Sequence, residues 1–209
     1  MYVNIFKRIG VFFLMVFMIF SMTIPTFSYF LMYYPSKDGT GDTILLTGDS
    51  YAGYFATFEQ SKDLNILIYA QAAQSTKENY AMMKEAIDAY PQVVVISVGV
   101  NDYNKHVSPE DFKNQMEELV SECRAKNKKV ILHTFMDYDI DAFGDPRHVY
   151  EISDYDNALR KVAEKYNNAF YIDMSDYNSS YFLQPDRIHY NQVFYDELYR
   201  RILTALLLF

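Results

Sequence analysis

Hydrophobic positions follow two regimes along this chain. From Ile9 to about Ser36 no charged residue occurs, and Phe, Met, Ile and Val dominate. Beyond Asp42 short apolar runs alternate with amphipathic stretches. The runs Thr43–Thr47, Asn65–Tyr69, Gln92–Val98, Lys129–Thr134 and Ala169–Ile172 are short, and Val93–Val98 is almost wholly β-branched, which predicts buried strands. Helices are predicted after Ser50 and over Thr76–Ala89, Pro109–Lys126, Ser153–Lys165 and Gln192–Leu207. Ser108-Pro109-Glu110-Asp111 opens its helix with a Ser N-cap, Pro at the first position and acids in the first turn. Strand and helix in alternation imply right-handed crossovers, hence an α/β fold with a five-stranded parallel sheet covered on both faces. That unit takes residues 43–209, and 34–42, with Pro35, Ser36, Gly39 and Gly41, read as a linker.

The first regime predicts a different solvent. Residues 9–33 are long enough to cross a bilayer as one helix, with Pro25 as a tolerated kink. Lys7 and Arg8 keep the tail 1–8 cytoplasmic, so the folded domain lies outside the cytoplasm as part of a single-pass membrane protein. The competing reading is a cleaved signal peptide and a secreted product, with Thr26-Phe27-Ser28 the nearest small-x-small site. The apolar run continues past it through Tyr29-Phe30-Leu31-Met32, which favours an uncleaved anchor.

Composition narrows the partners. The 209 residues carry 19 Lys and Arg against 27 Asp and Glu, a net charge of -8, and no basic run, which argues against nucleic acid. One cysteine excludes an internal disulfide, and Cys123 shares a helical stripe with Phe112, Met116, Leu119 and Val120, the pattern of a core residue.

The candidate chemistry sits where strands end. Gly48-Asp49-Ser50 follows the first strand and places a hydroxyl on a strand-to-helix turn. Alone this is ordinary turn and N-cap chemistry. Gly99-Val100-Asn101-Asp102 again puts small and polar groups after a strand, and Asp186-Arg187-Ile188-His189 sets a carboxylate three residues from an imidazole. Together they supply a nucleophile, an amide donor for an oxyanion, a base and a carboxylate to orient it. Asp102 reads as a cap or brace of its own turn, and Asp49 as a backbone-bonding turn residue.

With these three blocks in this order, the chain from about Thr43 onward resembles the SGNH/GDSL hydrolase superfamily. The resemblance implies a flavodoxin-like three-layer α/β/α fold and no metal or organic cofactor. It implies Ser50 as nucleophile, His189 as general base and Asp186 as its orienting partner. It also implies an oxyanion hole made by the Ser50 N–H, the Asn101 side-chain amide and a backbone N–H of the second block. There the family usually has glycine, whereas this chain reads Tyr69-Ala70-Gln71-Ala72-Ala73-Gln74-Ser75-Thr76. Ala73 aligns with the glycine, with Ala72 and Gln74 as alternatives, and a backbone donor survives the exchange if the φ/ψ is tolerable.

The resulting expectation is a membrane-anchored, extracytoplasmic serine esterase or O-acyltransferase acting through an acyl-serine on acyl, chiefly acetyl, esters of a cell-envelope glycan. Single-span members of this kind work beside multi-pass membrane acyltransferases, the partner expected here. The rivals are a lipolytic esterase or lysophospholipase, and a non-catalytic binding protein that keeps the fold. Three further features have minor functional readings. His133 ends a strand near the expected rim of the site. The acidic loop Asp137–Asp145 lacks EF-hand spacing and reads as a lid or plain loop, not a metal site. Tyr138 and Tyr150 have the chemistry to stack on sugar rings, or simply to cover the fold's edge.

Overall fold

A computed structural model describes residues 29–34, 43–55, 64–89, 92–134, 149–177 and 179–209, the first of these as backbone only. Its centre is a sheet of strands β1 (Tyr29–Tyr34), β2 (Thr43–Gly48), β3 (Asn65–Gln71), β4 (Val93–Ser97), β5 (Lys129–His133) and β6 (Ala169–Ile172), in the order β1-β3-β2-β4-β5-β6. β2 through β6 are parallel. Ile44, Leu45 and Leu46 in β2 and Val94, Val95 and Ile96 in β4 are buried, which is why these strands read as unbroken apolar runs.

Among the described residues six α-helices connect and flank the strands: α1 (Ser50–Phe55), α2 (Thr76–Ala89), α3 (Val100–Asn104), α4 (Pro109–Ala125), α5 (Ile152–Lys165) and α6 (Gln192–Leu206). The connection from β2 to β3 runs one way across the sheet, and those from β3 to β4 to β5 to β6 run the other. Right-handed crossovers therefore put α1 on one face and α2, α4 and α5 on the opposite one. α2 packs on α4 and α4 on α5. α6 joins α1, with Phe55 edge-on to Tyr195 at a centroid distance of 5.7 Å. The result is three layers with a topological switch beside β2, the place where open α/β sheets form their ligand crevice.

Local signals hold in detail. The Ser108 hydroxyl accepts the Asp111 N–H at 3.1 Å, and Pro109 occupies the first turn of α4. Phe112, Met116, Leu119, Val120 and Cys123 form its buried stripe. The Asn191 side chain caps α6 by accepting from the Val193 N–H at 3.1 Å.

Two elements depart from the sequence expectation. β1 adds an antiparallel edge to the parallel sheet, pairing Tyr29 with Gln71 and Tyr34 with Ile66, so the sheet has six strands. This strand takes residues 29–33 from the end of the expected membrane span and Tyr34 from the linker. Residues 9–28 of that span lie outside the described residues, and among the described residues no helix is long and apolar enough to cross a membrane. α3 is the second addition. It follows Gly99, whose φ is 127°, and has no side-chain cap.

Candidate functional site

The switch point gathers three turns at one edge of the sheet. Gly48 of β2 is level with Ala70 of β3 and with Ser97 of β4. Ser50, Ala73 and Asn101 follow these positions by two, three and four residues. Gly48 itself has φ 141°, and a Cβ on it would stand 1.9 Å from the Ser97 carbonyl oxygen. That oxygen accepts the Asp49 N–H at 3.1 Å, so the close pairing of β2 and β4 requires glycine where the turn begins. Asp49 Oδ1 accepts the Tyr51 N–H at 2.9 Å and starts α1 with Ser50 as its first residue.

Ser50 Oγ lies 3.1 Å from His189 Nε2, and His189 Nδ1 lies 2.7 Å from Asp186 Oδ2. An ionised carboxylate only accepts, so Nδ1 carries the hydrogen and Nε2 is left to accept from the Ser50 hydroxyl. Asp186 Oδ1 accepts the N–H groups of Ile188 and His189, each at 3.0 Å, closing the tight turn in which Arg187 has φ 62°. Partial burial raises the Asp186 carboxyl, but the bonds from His189 and these two N–H groups hold it below its ordinary range. The His189 side chain keeps 15% of its surface exposed, enough for an entering group to reach the imidazole.

Aromatic residues of α1 fix this loop. The Tyr54 ring stacks on the imidazole at 3.7 Å and 11°, and Tyr51 meets it edge-on at 5.8 Å. The Tyr51 hydroxyl donates to the Ile188 carbonyl at 3.0 Å, and Tyr195 donates to the Tyr51 carbonyl at 3.1 Å. The helix predicted after Ser50 contains Tyr51 and Tyr54 but assigns them no role in the site. Their three-residue spacing, which puts both on one side of a helix turn, was the one local signal.

On the other side of Ser50, Asn101 Nδ2 donates to Asp49 Oδ2 at 3.1 Å. That bond uses one amide hydrogen and leaves the second for another acceptor. Asp49 therefore does more than bond the backbone: it ties the first block to the third. Its complete burial pushes its carboxyl up to about 7, with the charge of Asp102 adding to the rise and the bonds from Tyr51 and Asn101 opposing it. Asp102, raised to about 6 by burial, does not brace the turn that carries it. It accepts the Thr76 N–H at 3.0 Å and the Thr76 hydroxyl at 2.8 Å, and so joins α3 to the second block.

Of residues 72–74, Ala73 alone has a positive φ, 60°. Glycine takes this conformation freely, whereas an L-residue gives up about 1–2 kcal/mol there. Ala73 thus holds a conformation that suits glycine better than alanine, and its N–H has no partner among the described residues.

The remaining sequence candidates go elsewhere. His133 is not on a rim: it is buried, with Nε2 3.0 Å from Ser97 Oγ and Nδ1 3.1 Å from the Thr134 carbonyl oxygen. Burial drives its pKa down to about 4. Cys123 is a core residue whose thiol burial pushes up to about 12. Tyr150 packs half-buried against the core, and Tyr138 with the loop Asp137–Asp145 lies outside the described residues. Among the described residues no three His, Cys, Asp or Glu side chains group as metal ligands. Open grooves of about 780 and 700 Å³ follow α2 and α4, and their linings, which share Tyr80, Asn114 and Glu118, include neither Ser50 nor His189.

Among curated proteins none matches the chain in sequence. Solved structures with the same fold include a lipase/acylhydrolase from Enterococcus faecalis, 21% identical over 79% of this chain and 95% of that one, with a TM-score of 0.64. Another is Axe2, an acetylxylan esterase from Geobacillus stearothermophilus, 20% identical over 81% of this chain and 94% of that one, with a TM-score of 0.60. The acetyl xylan esterase AlAXEase is 20% identical over 78% and 98% of the two chains, with a TM-score of 0.62. At such identities the likeness is one of fold. The family model for the GDSL-like lipase/acylhydrolases, however, matches residues 38–196, from the linker to the first turns of α6. With its three blocks meeting at the switch point of this sheet, the chain belongs to the GDSL-like lipase/acylhydrolase family.

Proposed function

We propose that the protein is a serine esterase that works through an acyl-serine on Ser50. The observation that carries this reading is the continuous contact Ser50–His189–Asp186, at 3.1 and 2.7 Å. His189 Nε2 takes the hydroxyl proton as Ser50 Oγ attacks the ester carbonyl, and Asp186 steadies the imidazolium that forms. The oxyanion is held by the Ser50 N–H, the Ala73 N–H and the second Asn101 amide hydrogen. Collapse of the tetrahedral species breaks the ester C–O bond, and His189 returns its proton to the leaving alcohol. A second hydroxyl, from water or from a sugar, then gives up its proton to His189 and attacks the acyl-serine; collapse breaks the acyl C–Oγ bond, and His189 returns the proton to Ser50. Water gives hydrolysis and a sugar gives acyl transfer. A binding protein of the same fold has no need of the two aligned contacts, which favours the enzyme.

The substrate reading is an acyl, chiefly acetyl, ester on a cell-envelope glycan. Its supports are the acetylxylan esterases among the structures of the same fold and the apolar N-terminal stretch. Residues 9–28 still contain 20 uncharged positions, about 30 Å of helix, the thickness of a bilayer core. An anchor there, with Lys7 and Arg8 inside, leaves the domain on the outer side, beside a multi-pass acyltransferase as donor of the acyl group. A lipolytic esterase is the alternative, supported by the lipase/acylhydrolase of the same fold.

The test is hydrolysis of an aryl acetate and of an acetylated oligosaccharide by the full chain in detergent. Turnover of both that vanishes in Ser50→Ala supports the reading. Turnover that survives the substitution, or none from folded protein, overturns it.

A further inference from the structure

Ala73 holds a conformation that alanine disfavours, and the structure shows what holds it there. The Lys105 ammonium donates to the Ala73 carbonyl oxygen at 2.9 Å and to Glu78 Oε2 at 2.5 Å. The same Glu78 oxygen accepts the Ser75 N–H at 2.7 Å and the Ser75 hydroxyl at 2.9 Å. The Lys105 bond holds the Glu78 carboxyl below its ordinary range. Lys105 closes α3, its N–H donating to the Asn101 carbonyl at 3.0 Å. One short helix therefore carries Asn101 and grips the second-block turn twice, at Thr76 through Asp102 and at Ala73 through Lys105.

We propose that Lys105 is a positioning residue: its ammonium keeps Ala73 in the left-handed conformation that leaves the Ala73 N–H open to an oxyanion, a task glycine performs without help. This inference rests on the esterase reading above. Without the ammonium, the alanine backbone relaxes toward negative φ, and the population competent to stabilise the transition state shrinks. Glycine at position 73 populates both signs of φ about equally and depends less on the clamp. The pair is half-exposed, with Lys105 and Glu78 side chains 37% and 45% accessible, so its contribution to global stability is small.

The test is a double-mutant cycle on aryl acetate hydrolysis, with unfolding midpoints measured in parallel. Lys105→Met is expected to lower kcat about three- to tenfold with KM almost unchanged, since the lost interaction belongs to the transition state. In an Ala73→Gly background the same substitution is expected to cost less than about twofold. Equal losses in both backgrounds, a loss carried by KM, or an unchanged kcat in Lys105→Met would overturn the inference while leaving the esterase reading in place. A wild-type chain without Ser50-dependent turnover overturns both.

Discussion

Two serine–histidine contacts lie at neighbouring strand ends, Ser50–His189 at 3.1 Å and Ser97–His133 at 3.0 Å. Distance alone does not separate them. The difference lies in what backs each imidazole and what reaches it. His189 has a carboxylate behind Nδ1 and remains partly open. His133 has only the Thr134 carbonyl behind Nδ1, and both it and Ser97 are buried. Since Nδ1 donates to that carbonyl, Nε2 accepts from Ser97, in the same sense as in the outer pair. Yet a pKa near 4 leaves His133 a poor base, and no ester can approach Ser97. The inner pair is a structural hydrogen bond between β4 and β5, and the outer one has the third group and the access that acyl transfer needs.

The largest effect that separates the pairs is on turnover. Ser50→Ala is expected to lower kcat about a millionfold, whereas Ser97→Ala changes it less than about tenfold, in steady-state aryl acetate hydrolysis. Comparable losses from both would erase the distinction. Next comes the backing carboxylate. Asp186→Asn, which keeps the shape but loses the charge, is expected to cost about ten-thousandfold in kcat, and a loss below about tenfold would mean that Asp186 does not stabilise the imidazolium.

The inner pair registers in stability. His133 stays neutral in the fold down to about pH 4, while the same residue in the unfolded chain takes up a proton near the ordinary histidine value of 6.5. The unfolded state thus binds more protons between these values. The contribution of His133 is fully present above about pH 6.5 and is lost as pH falls to about 4, roughly 3 kcal/mol in all. Unfolding midpoints of wild type and His133→Gln should therefore converge on acidification from pH 7 to 4. Other groups titrate alike in both chains and drop out, so a constant difference would contradict a buried, neutral His133.

The smallest effect concerns the Tyr54 ring over His189. Tyr54→Leu is expected to lower kcat about two- to tenfold and Tyr54→Phe hardly at all, since the stacked face rather than the hydroxyl meets the imidazole. Equal losses in the two variants would point to the hydroxyl instead.

The outer pair was legible in the sequence and the inner one was not, for a physical reason. Asp186 and His189 are three residues apart in one turn, and Ser50 comes two residues after Gly48 at the end of a strand. Only the Asp186–His189 spacing is local: Ser50 and His189 are 139 residues apart, and the resemblance of the three blocks, in their order, is what joined them. Ser97 and His133 are 36 residues apart, and only the register of β4 on β5 brings them together. The same limit hid the bond from Asn101 to Asp49, which spans 52 residues. Among the elements, α2 and the buried stripe of α4 could be read directly because periodicity needs several turns to register. α3, with five residues after Gly99, is too short for that. β1 was hidden differently, since an apolar run that pairs with β3 as an edge strand looks the same in sequence as one that enters a membrane.

The most direct test of the distinction between the pairs is covalent. The folded full chain in detergent would be treated with an aryl fluorophosphonate, digested, and the modified peptide located by mass spectrometry. A single adduct on Ser50, absent from His189→Ala, is the expected result. An adduct on Ser97 or another residue, or no adduct on folded protein that cleaves aryl acetate, would contradict it.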